Sequence, residues 1–130
     1  MTSATPFLMF QGQAQAAIDL YAATLPDTRV LQMQRREAPT STGGTVLLAR
    51  VAICGQAFLF SDSAPVHAFT FTPSSSIFVE CDSEDEQTRV FNTLADGGGV
   101  LMPLADYGFS RRFGWLNDRF GVSWQLNLAA

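Results

Sequence analysis

The stretch that decides the fold is residues 108–128, GFSRRFGWLNDRFGVSWQLNL. Over residues 122–128 apolar and polar side chains alternate strictly, as in a strand with one buried face. An aromatic-rich run precedes this strand, and Asn117, Asp118 and Gly121 lie between the two. These residue types favour tight turns, so the stretch predicts a β-hairpin. Because the final strand has one apolar face and one face of hydroxyl and amide groups, we expect helices on one side of its sheet and a ligand cavity on the other.

Two registers of this hairpin are compatible with the sequence. A loop over residues 117–121 pairs Leu116 with Val122, whereas a loop one residue shorter exchanges the two faces. We prefer the longer loop because it sets Gly114 opposite the bulky Trp124.

Arg111 and Arg112 are adjacent, so one of them points to the polar face of the hairpin in either register. A guanidinium there can hold a carboxylate or a phosphate. The alternative, an exposed arginine paired with a surface acid, stays open, as does the choice between the two residues.

The rest of the chain predicts the same element order twice. The first half has a strand at 7–10, a helix at 13–25 and strands at 29–36, 45–53 and 57–61. The second half has a strand at 75–81, a helix ending near 95, and strands at 100–102, 109–116 and 122–128. Ser83 is the expected helix cap, and Gly97 to Gly99 are expected to stop that helix.

Single positions support an internal duplication. Ala17, Ile18 and Tyr21 recur 73 residues later as apolar residues, and the segment 55–61 recurs 66 residues later as 121–127. The second offset pairs Phe58 with Trp124 and Leu59 with Gln125. We therefore expect one domain over residues 1–130, with modules at about 6–62 and 75–128 and a linker at about 63–74.

Composition limits the possible partners. The 130 residues are 47% hydrophobic and 12% aromatic, and the net charge is −4 with a pI of about 4.7. Nucleic-acid binding requires a basic surface, so we expect no such partner. The chain has no lysine, which excludes Schiff-base chemistry and a Walker A phosphate loop.

Cys54 and Cys81 lie in apolar runs and are expected to be buried, reduced thiols, although a disulfide stays open. No basic leader with a long apolar segment is present, and no run approaches the roughly 18 apolar residues of a membrane span. We expect a cytoplasmic protein with no membrane partner.

Three segments carry a resemblance to a known family. They are FLMF at 7–10 with Gly12 and Tyr21, the run from Phe69 to Ile77, and GWLNDRFGVSWQL at 114–126. The chain resembles the vicinal oxygen chelate superfamily of glyoxalase I, extradiol dioxygenases and bleomycin-resistance proteins, and within it the PhnB-like branch, often labelled 3-demethylubiquinone methyltransferase-like. The likeness covers about residues 6–128. It implies an α+β fold of two βαβββ modules, whose curled mixed sheets surround a cavity, and a homodimer.

The same resemblance locates where metal-dependent members hold their ion. Those positions fall on Pro6, Leu59, Ser76 and Gln125 in this chain. None offers an imidazole or a carboxylate, so we expect no metal and no cofactor. The methyltransferase label lacks support as well, because the glycine run follows a helix, whereas a nucleotide-binding loop would follow a strand.

Few residues are candidates for catalysis. His67, the only histidine, lies in the linker without an obvious partner, and Asp62 and Asp106 are expected in turns. Glu80 follows Ser76 and Phe78 on the polar face of its strand, near the strand end, and is expected to be solvated.

We therefore expect a metal-independent small-molecule binding protein with an unknown ligand. Enzymatic activity, of a lyase, isomerase or transferase type in the same cavity, is the alternative, and a purely structural protein is a third possibility. The residues expected to line the cavity are Pro6, Leu8, Leu59, Ser76, Phe78, Glu80, Arg111, Trp115 and Gln125.

Overall fold

The computed structural model describes residues 1–129, which form two compact units. The first unit is Met1–Ala68, and the second begins at Phe69. Within the described part of the chain, no helix is both long and apolar enough to cross a membrane.

The first unit is a four-stranded mixed sheet with one helix. Its elements are β1 (Phe7–Phe10), α1 (Ala14–Thr24), β2 (Arg29–Arg35), β3 (Val46–Ile53) and β4 (Gln56–Asp62). The strand order is β1-β4-β3-β2, with β1 parallel to β4 and the other pairs antiparallel.

The second unit repeats this plan. Its elements are β5 (Ser76–Glu80), α2 (Glu84–Ala95), β6 (Gly99–Ala105), β7 (Arg112–Asn117) and β8 (Ser123–Leu128). The strand order is β5-β8-β7-β6, with β5 parallel to β8. The predicted α+β fold of two βαβββ modules is confirmed.

The core of each unit lies between its helix and one face of its sheet. In β4 Phe58 and Phe60 are buried, and in β8 their repeat partners Trp124 and Leu126 are fully buried. Phe60 stacks on Phe10 and meets Tyr21 of α1 edge to face. Strand alternation therefore turns the same repeat positions toward the helix in both units.

The two helices begin in different ways. At the start of α2 the Ser83 hydroxyl accepts the Glu86 N–H at 3.1 Å, and Glu86 accepts the Asp82 N–H at 3.0 Å. The Ser83 hydroxyl therefore caps the helix start, as predicted. The helix ends at Ala95, and Gly97 follows with a φ of +78°, which confirms the predicted stop.

Helix α1 lacks a side-chain cap of its own and uses Asp62 from β4. One carboxylate oxygen of Asp62 accepts the N–H groups of Gly12 and Ala14, and the other accepts those of Thr45 and Val46. The prediction of a turn residue was wrong, because Asp62 ends a strand and is 1% exposed. It connects the start of α1 to the start of β3.

The C-terminal hairpin has the predicted faces but a different register. Leu116 pairs with Trp124, and Gly114 pairs with Leu126, so the expected pairing of Gly114 with Trp124 was wrong. Gly114 is required for another reason, because a Cβ there would lie 2.5 Å from a ring carbon of Phe91.

A buried aspartate sets this register. Asp118 accepts the N–H groups of Phe120 and Val122, and it accepts the indole N–H of Trp124 at 2.9 Å. Gly121 completes the turn with a φ of +89°. The first hairpin strand also begins later than expected, at Arg112, since the segment before it turns at Gly108, whose N–H is bound by Asp106.

The prediction of which β1 side chains face away from the helix was wrong by one position. Leu8 pairs with Phe60, on the helix side, whereas Phe7 pairs with Leu59 on the opposite face. Pro6 precedes the strand, and its carbonyl accepts the Leu59 N–H at 2.8 Å. Four consecutive apolar residues carry no alternation, so the sequence did not fix which of them face the helix.

The two cysteines differ in environment. Both are reduced thiols that form no disulfide, and Cys81 is buried as expected. Cys54 is exposed, which corrects its prediction, because it occupies the turn between β3 and β4 with a φ of +51°.

Candidate functional site

The candidate site is the face of the second sheet that points away from α2, here called the open face. Strands β5, β8 and β7 each place three side chains on it, and the strand register arranges them in three rows. The rows are Ser76, Ser123 and Asn117; Phe78, Gln125 and Trp115; and Glu80, Asn127 and Phe113.

The two serines of the first row form a hydrogen-bonded cluster with Trp115 of the middle row. The hydroxyl groups of Ser76 and Ser123 lie 2.7 Å apart, and the Trp115 indole N–H donates to Ser123 at 2.8 Å. Ser123 is 1% exposed, whereas Ser76 is half-buried. Both hydroxyl groups are neutral, and only Ser76 is accessible to a ligand.

The middle row sets an amide between two aromatic side chains. Gln125 pairs with Phe78 of β5 on one side and with Trp115 of β7 on the other. Phe78 is 52% exposed, and Gln125 and Trp115 are half-buried. A flat ligand can therefore contact both rings while the amide binds its polar edge.

The third row is rich in acceptors. The Asn127 amide N–H donates to Glu80 at 3.0 Å, which fixes the orientation of that amide, since a carboxylate only accepts. The side-chain oxygen of Asn127, Oδ1, is buried and has no hydrogen-bond partner within residues 1–129. Glu80 is exposed, as expected, but it is also held by this amide.

An aromatic cluster borders the third row. Phe113 contacts Phe109 edge to face with ring centroids 5.0 Å apart, and it contacts Phe78 at 6.3 Å. Tyr107 contacts both Phe109 and Phe113. Because Phe109 is 64% exposed, this cluster extends the apolar surface beyond the strands.

The structure separates the two neighbouring arginines. Arg112 points to the helix side, where its guanidinium donates to Thr88 at 2.8 Å and lies 3.8 Å from the Glu84 carboxylate. Arg111 is exposed and precedes β7. Because Arg111 lies outside the alternating strand, its place on the open face stays a prediction.

The other sheet has an open face of its own, with fewer polar groups. It carries Phe7 beside Leu59, and Leu59 beside the exposed Arg50. Sequence reasoning missed Arg50, although an arginine within the apolar run of β3 was a usable signal. It also left Ser123 and Asn127 out of the site, although both alternate with the apolar residues of β8.

The residues at the expected metal positions do not fit a metal ion. Ser76 is already bonded to Ser123, Leu59 has no donor atom, and Gln125 is a neutral amide. The register of β1 makes Thr5, rather than Pro6, the repeat partner of Ser76, which adds a hydroxyl but no imidazole or carboxylate. Residues 1–129 contain no cluster of three His, Cys, Asp or Glu residues able to hold a metal. His67 is exposed, between β4 and β5.

Comparison with known proteins identifies close relatives. A family model described as 3-demethylubiquinone-9 3-methyltransferase matches residues 2–127. The chain is 44% identical to a putative 3-demethylubiquinone-9 3-methyltransferase, PhnB protein, from Bacillus cereus, covering 98% of this chain and 100% of that one, with a TM-score of 0.91. It is 30% identical to protein PA1353 from Pseudomonas aeruginosa, covering 99% and 98%, with a TM-score of 0.83.

A more distant structure shares the fold alone. It is a glyoxylase/bleomycin resistance protein/dioxygenase domain from Frankia, 13% identical, with a TM-score of 0.70 over 100% of this chain and 98% of that one.

Proposed function

Because the chain belongs to the PhnB-like, 3-demethylubiquinone-9 3-methyltransferase family of the glyoxalase/bleomycin resistance superfamily, we propose that it binds a small molecule without a metal ion. The proposed site is the open face of the second sheet. The observation that carries the proposal is the middle row, in which an accessible amide lies between two aromatic side chains. Such a combination of apolar walls and a few polar groups is typical of ligand sites.

The charge of the open face supports a ligand that is held mainly by stacking and neutral hydrogen bonds. Glu80 is the only ionisable group in the three rows, and it lies in the third. The hydroxyl and amide groups of the other rows bind carbonyl, hydroxyl or amide edges, which suits a flat, largely neutral body. Arg111 beyond the third row is a further contact for an anionic substituent. Within the first unit, Pro6 and Leu59 stay predicted ligand contacts of that unit's own sheet, whereas Leu8 lies on the helix side of β1 and is withdrawn.

The test combines metal analysis with a ligand screen. Elemental analysis of the purified chain should give far less than one metal per chain, and metabolites that raise the melting temperature should do so equally with and without a chelator. Gln125→Ala should reduce the shift, whereas Thr93→Ala, which removes a hydroxyl bonded to Arg89 on α2, should not. One tightly held metal per chain that is lost in Gln125→Ala would contradict the proposal.

A metal-free enzyme is the second candidate, because one oxygen of Glu80 is held by Asn127 while the carboxylate stays exposed. A carboxylate oriented in this way can act as a general base. Liquid chromatography with mass spectrometry of each bound metabolite after incubation distinguishes the two candidates. Only an enzyme converts the metabolite into a product, and chromatography separates even an isomer of the same mass.

We also propose a homodimer in which the exposed apolar side chains of edge strands β2 and β6 are covered by a second copy. Leu31 is 47% exposed on β2, and Val100 is 49% exposed on β6. Exposed apolar edges favour association.

A further inference from the structure

A hydrogen-bond relay with a definite direction runs from Trp115 of the middle row to the two serines of the first row. The Trp115 indole N–H can only donate, so its 2.8 Å bond to the Ser123 oxygen runs from the tryptophan to the serine. The Ser123 and Ser76 hydroxyl oxygens lie 2.7 Å apart, and distance alone allows either to be the donor.

The burial of Ser123 determines which hydroxyl donates in the bond between Ser123 and Ser76. Ser123 is 1% exposed, and within residues 1–129 its hydroxyl is hydrogen-bonded only to Trp115 and Ser76. The side-chain oxygen of Asn117, in the same row, makes no hydrogen bond with any residue in this range. If Ser76 donated to Ser123, the Ser123 hydrogen would be buried without an acceptor, a state that folded proteins avoid. Ser123 therefore donates to Ser76.

The relay leaves the hydroxyl hydrogen of Ser76 available to a ligand. Ser76 accepts from Ser123, so its own O–H is not used by any residue that the structure describes. Ser76 is half-buried at the edge of the open face. A hydroxyl that already accepts a hydrogen bond is a stronger donor, because successive hydrogen bonds polarise one another.

We propose that the Ser76 O–H, together with the Gln125 amide N–H, binds a carbonyl or carboxylate oxygen of the ligand. Gln125 lies one row from Ser76 on the neighbouring strand, within reach of a shared ligand atom. The aromatic or other flat part of the ligand then lies against Phe78 and Trp115. This assignment rests on the proposed function and adds the ligand group that the first row recognises.

Three fragments test the assignment by ¹H–¹⁵N NMR titration of the full chain. Acetophenone offers a ketone oxygen, benzoate offers a carboxylate, and benzylamine offers only donors. We expect acetophenone and benzoate to shift the Gln125 side-chain amide, the Trp115 indole and the Ser76 backbone signals. Benzylamine should shift the Ser76 and Gln125 signals much less, because its ring can contact Phe78 and Trp115 but its ammonium group offers Ser76 no acceptor.

Variants test the direction of the relay. Ser76→Ala should weaken acetophenone binding by about five- to tenfold, the effect of one hydrogen bond. Ser76→Thr keeps the hydroxyl and should bind within about twofold of the wild type. Trp115→Phe keeps an aromatic ring but removes the first donor, which permits the Ser76–Ser123 bond to reverse. It should therefore weaken binding more in the wild-type background than in the Ser76→Ala background, where only the smaller ring contact of phenylalanine with the ligand remains as a loss.

The outcomes separate this inference from the proposed function. Thr93→Ala is the control and should bind acetophenone like the wild type, and urea melts should show that every variant is folded. Two results would contradict the relay assignment but leave the proposed binding site in place. In the first, acetophenone shifts open-face signals but binds Ser76→Ala as well as the wild type. In the second, benzylamine shifts the Ser76 and Gln125 signals as much as acetophenone does. If none of the three fragments shifts any open-face signal up to its solubility limit, the proposed site fails together with the relay.

Discussion

Trp124 and Gln125 are neighbours in the chain, and their side chains leave β8 on opposite faces. Trp124 is fully buried on the helix side and donates to Asp118 at 2.9 Å, whereas Gln125 is half-buried on the open face. Trp124→Ala should lower the free energy of unfolding by on the order of 3–5 kcal/mol, since it removes a large core side chain. Gln125→Ala should cost less than about 1 kcal/mol, because water can replace its hydrogen bonds. Urea melts of the two variants measure the difference.

A third substitution separates packing from hydrogen bonding. Trp124→Phe keeps an aromatic ring in the core but leaves one buried Asp118 oxygen without its indole partner. Its cost should fall between those of the two alanine variants. A Gln125→Ala variant that unfolds as readily as Trp124→Ala would show that the two faces have been exchanged, and the site on the open face would then be wrong.

At the scale of the elements, Asp62 connects three parts of the first unit. Its carboxylate accepts four backbone N–H groups, two at the start of α1 and two at the start of β3. Asp62→Ala leaves these amides without their acceptor and should cost on the order of 3–5 kcal/mol. Amide hydrogen exchange should increase first at Ala14 and Val46.

The matched control is Asp106→Ala. Asp106 is an exposed carboxylate that accepts one N–H, from Gly108 at 2.8 Å, so its loss should change the free energy of unfolding by less than about 1 kcal/mol. Equal destabilisation by the two substitutions would contradict the connecting role of Asp62.

The repeat and the alternation of β8 predicted the element order and the faces of the second sheet correctly. Both depend on local periodicity, which a sequence displays directly. The faces of β1 could not be predicted, because Phe7 and Leu8 belong to an uninterrupted apolar run. The roles of Asp62 and Asp118 were also missed, because a buried carboxylate is recognised only from the backbone amides that surround it. The four amides bonded to Asp62 are all at least 16 residues away in the chain.

The sequence predicted which side chains share the open face wherever these side chains follow the alternation of a strand. Ser76, Phe78, Glu80, Trp115 and Gln125 all lie on one face of the second sheet, as expected. The bond between the two serine hydroxyl groups was not predictable, since it depends on which residues the parallel register sets side by side. Whether any of these residues binds a ligand stays a prediction.

At the scale of the whole molecule, the proposed homodimer follows from the apolar edges. Strands β2 and β6 end the two sheets, and Leu31 and Leu101 on them are 47% and 42% exposed. Light scattering should give a mass of about 28 kDa, twice the 14.1 kDa of one chain, at every concentration tested. Leu31→Glu or Leu101→Glu should shift the mass toward that of one chain, because a charge buried at an interface without a partner is unfavourable.

Val66→Glu, at a 76% exposed position between β4 and β5, is the control and should stay dimeric. A wild-type mass of about 14 kDa at all concentrations would rule out the dimer, and wild-type behaviour of both leucine variants would move the interface away from these edges.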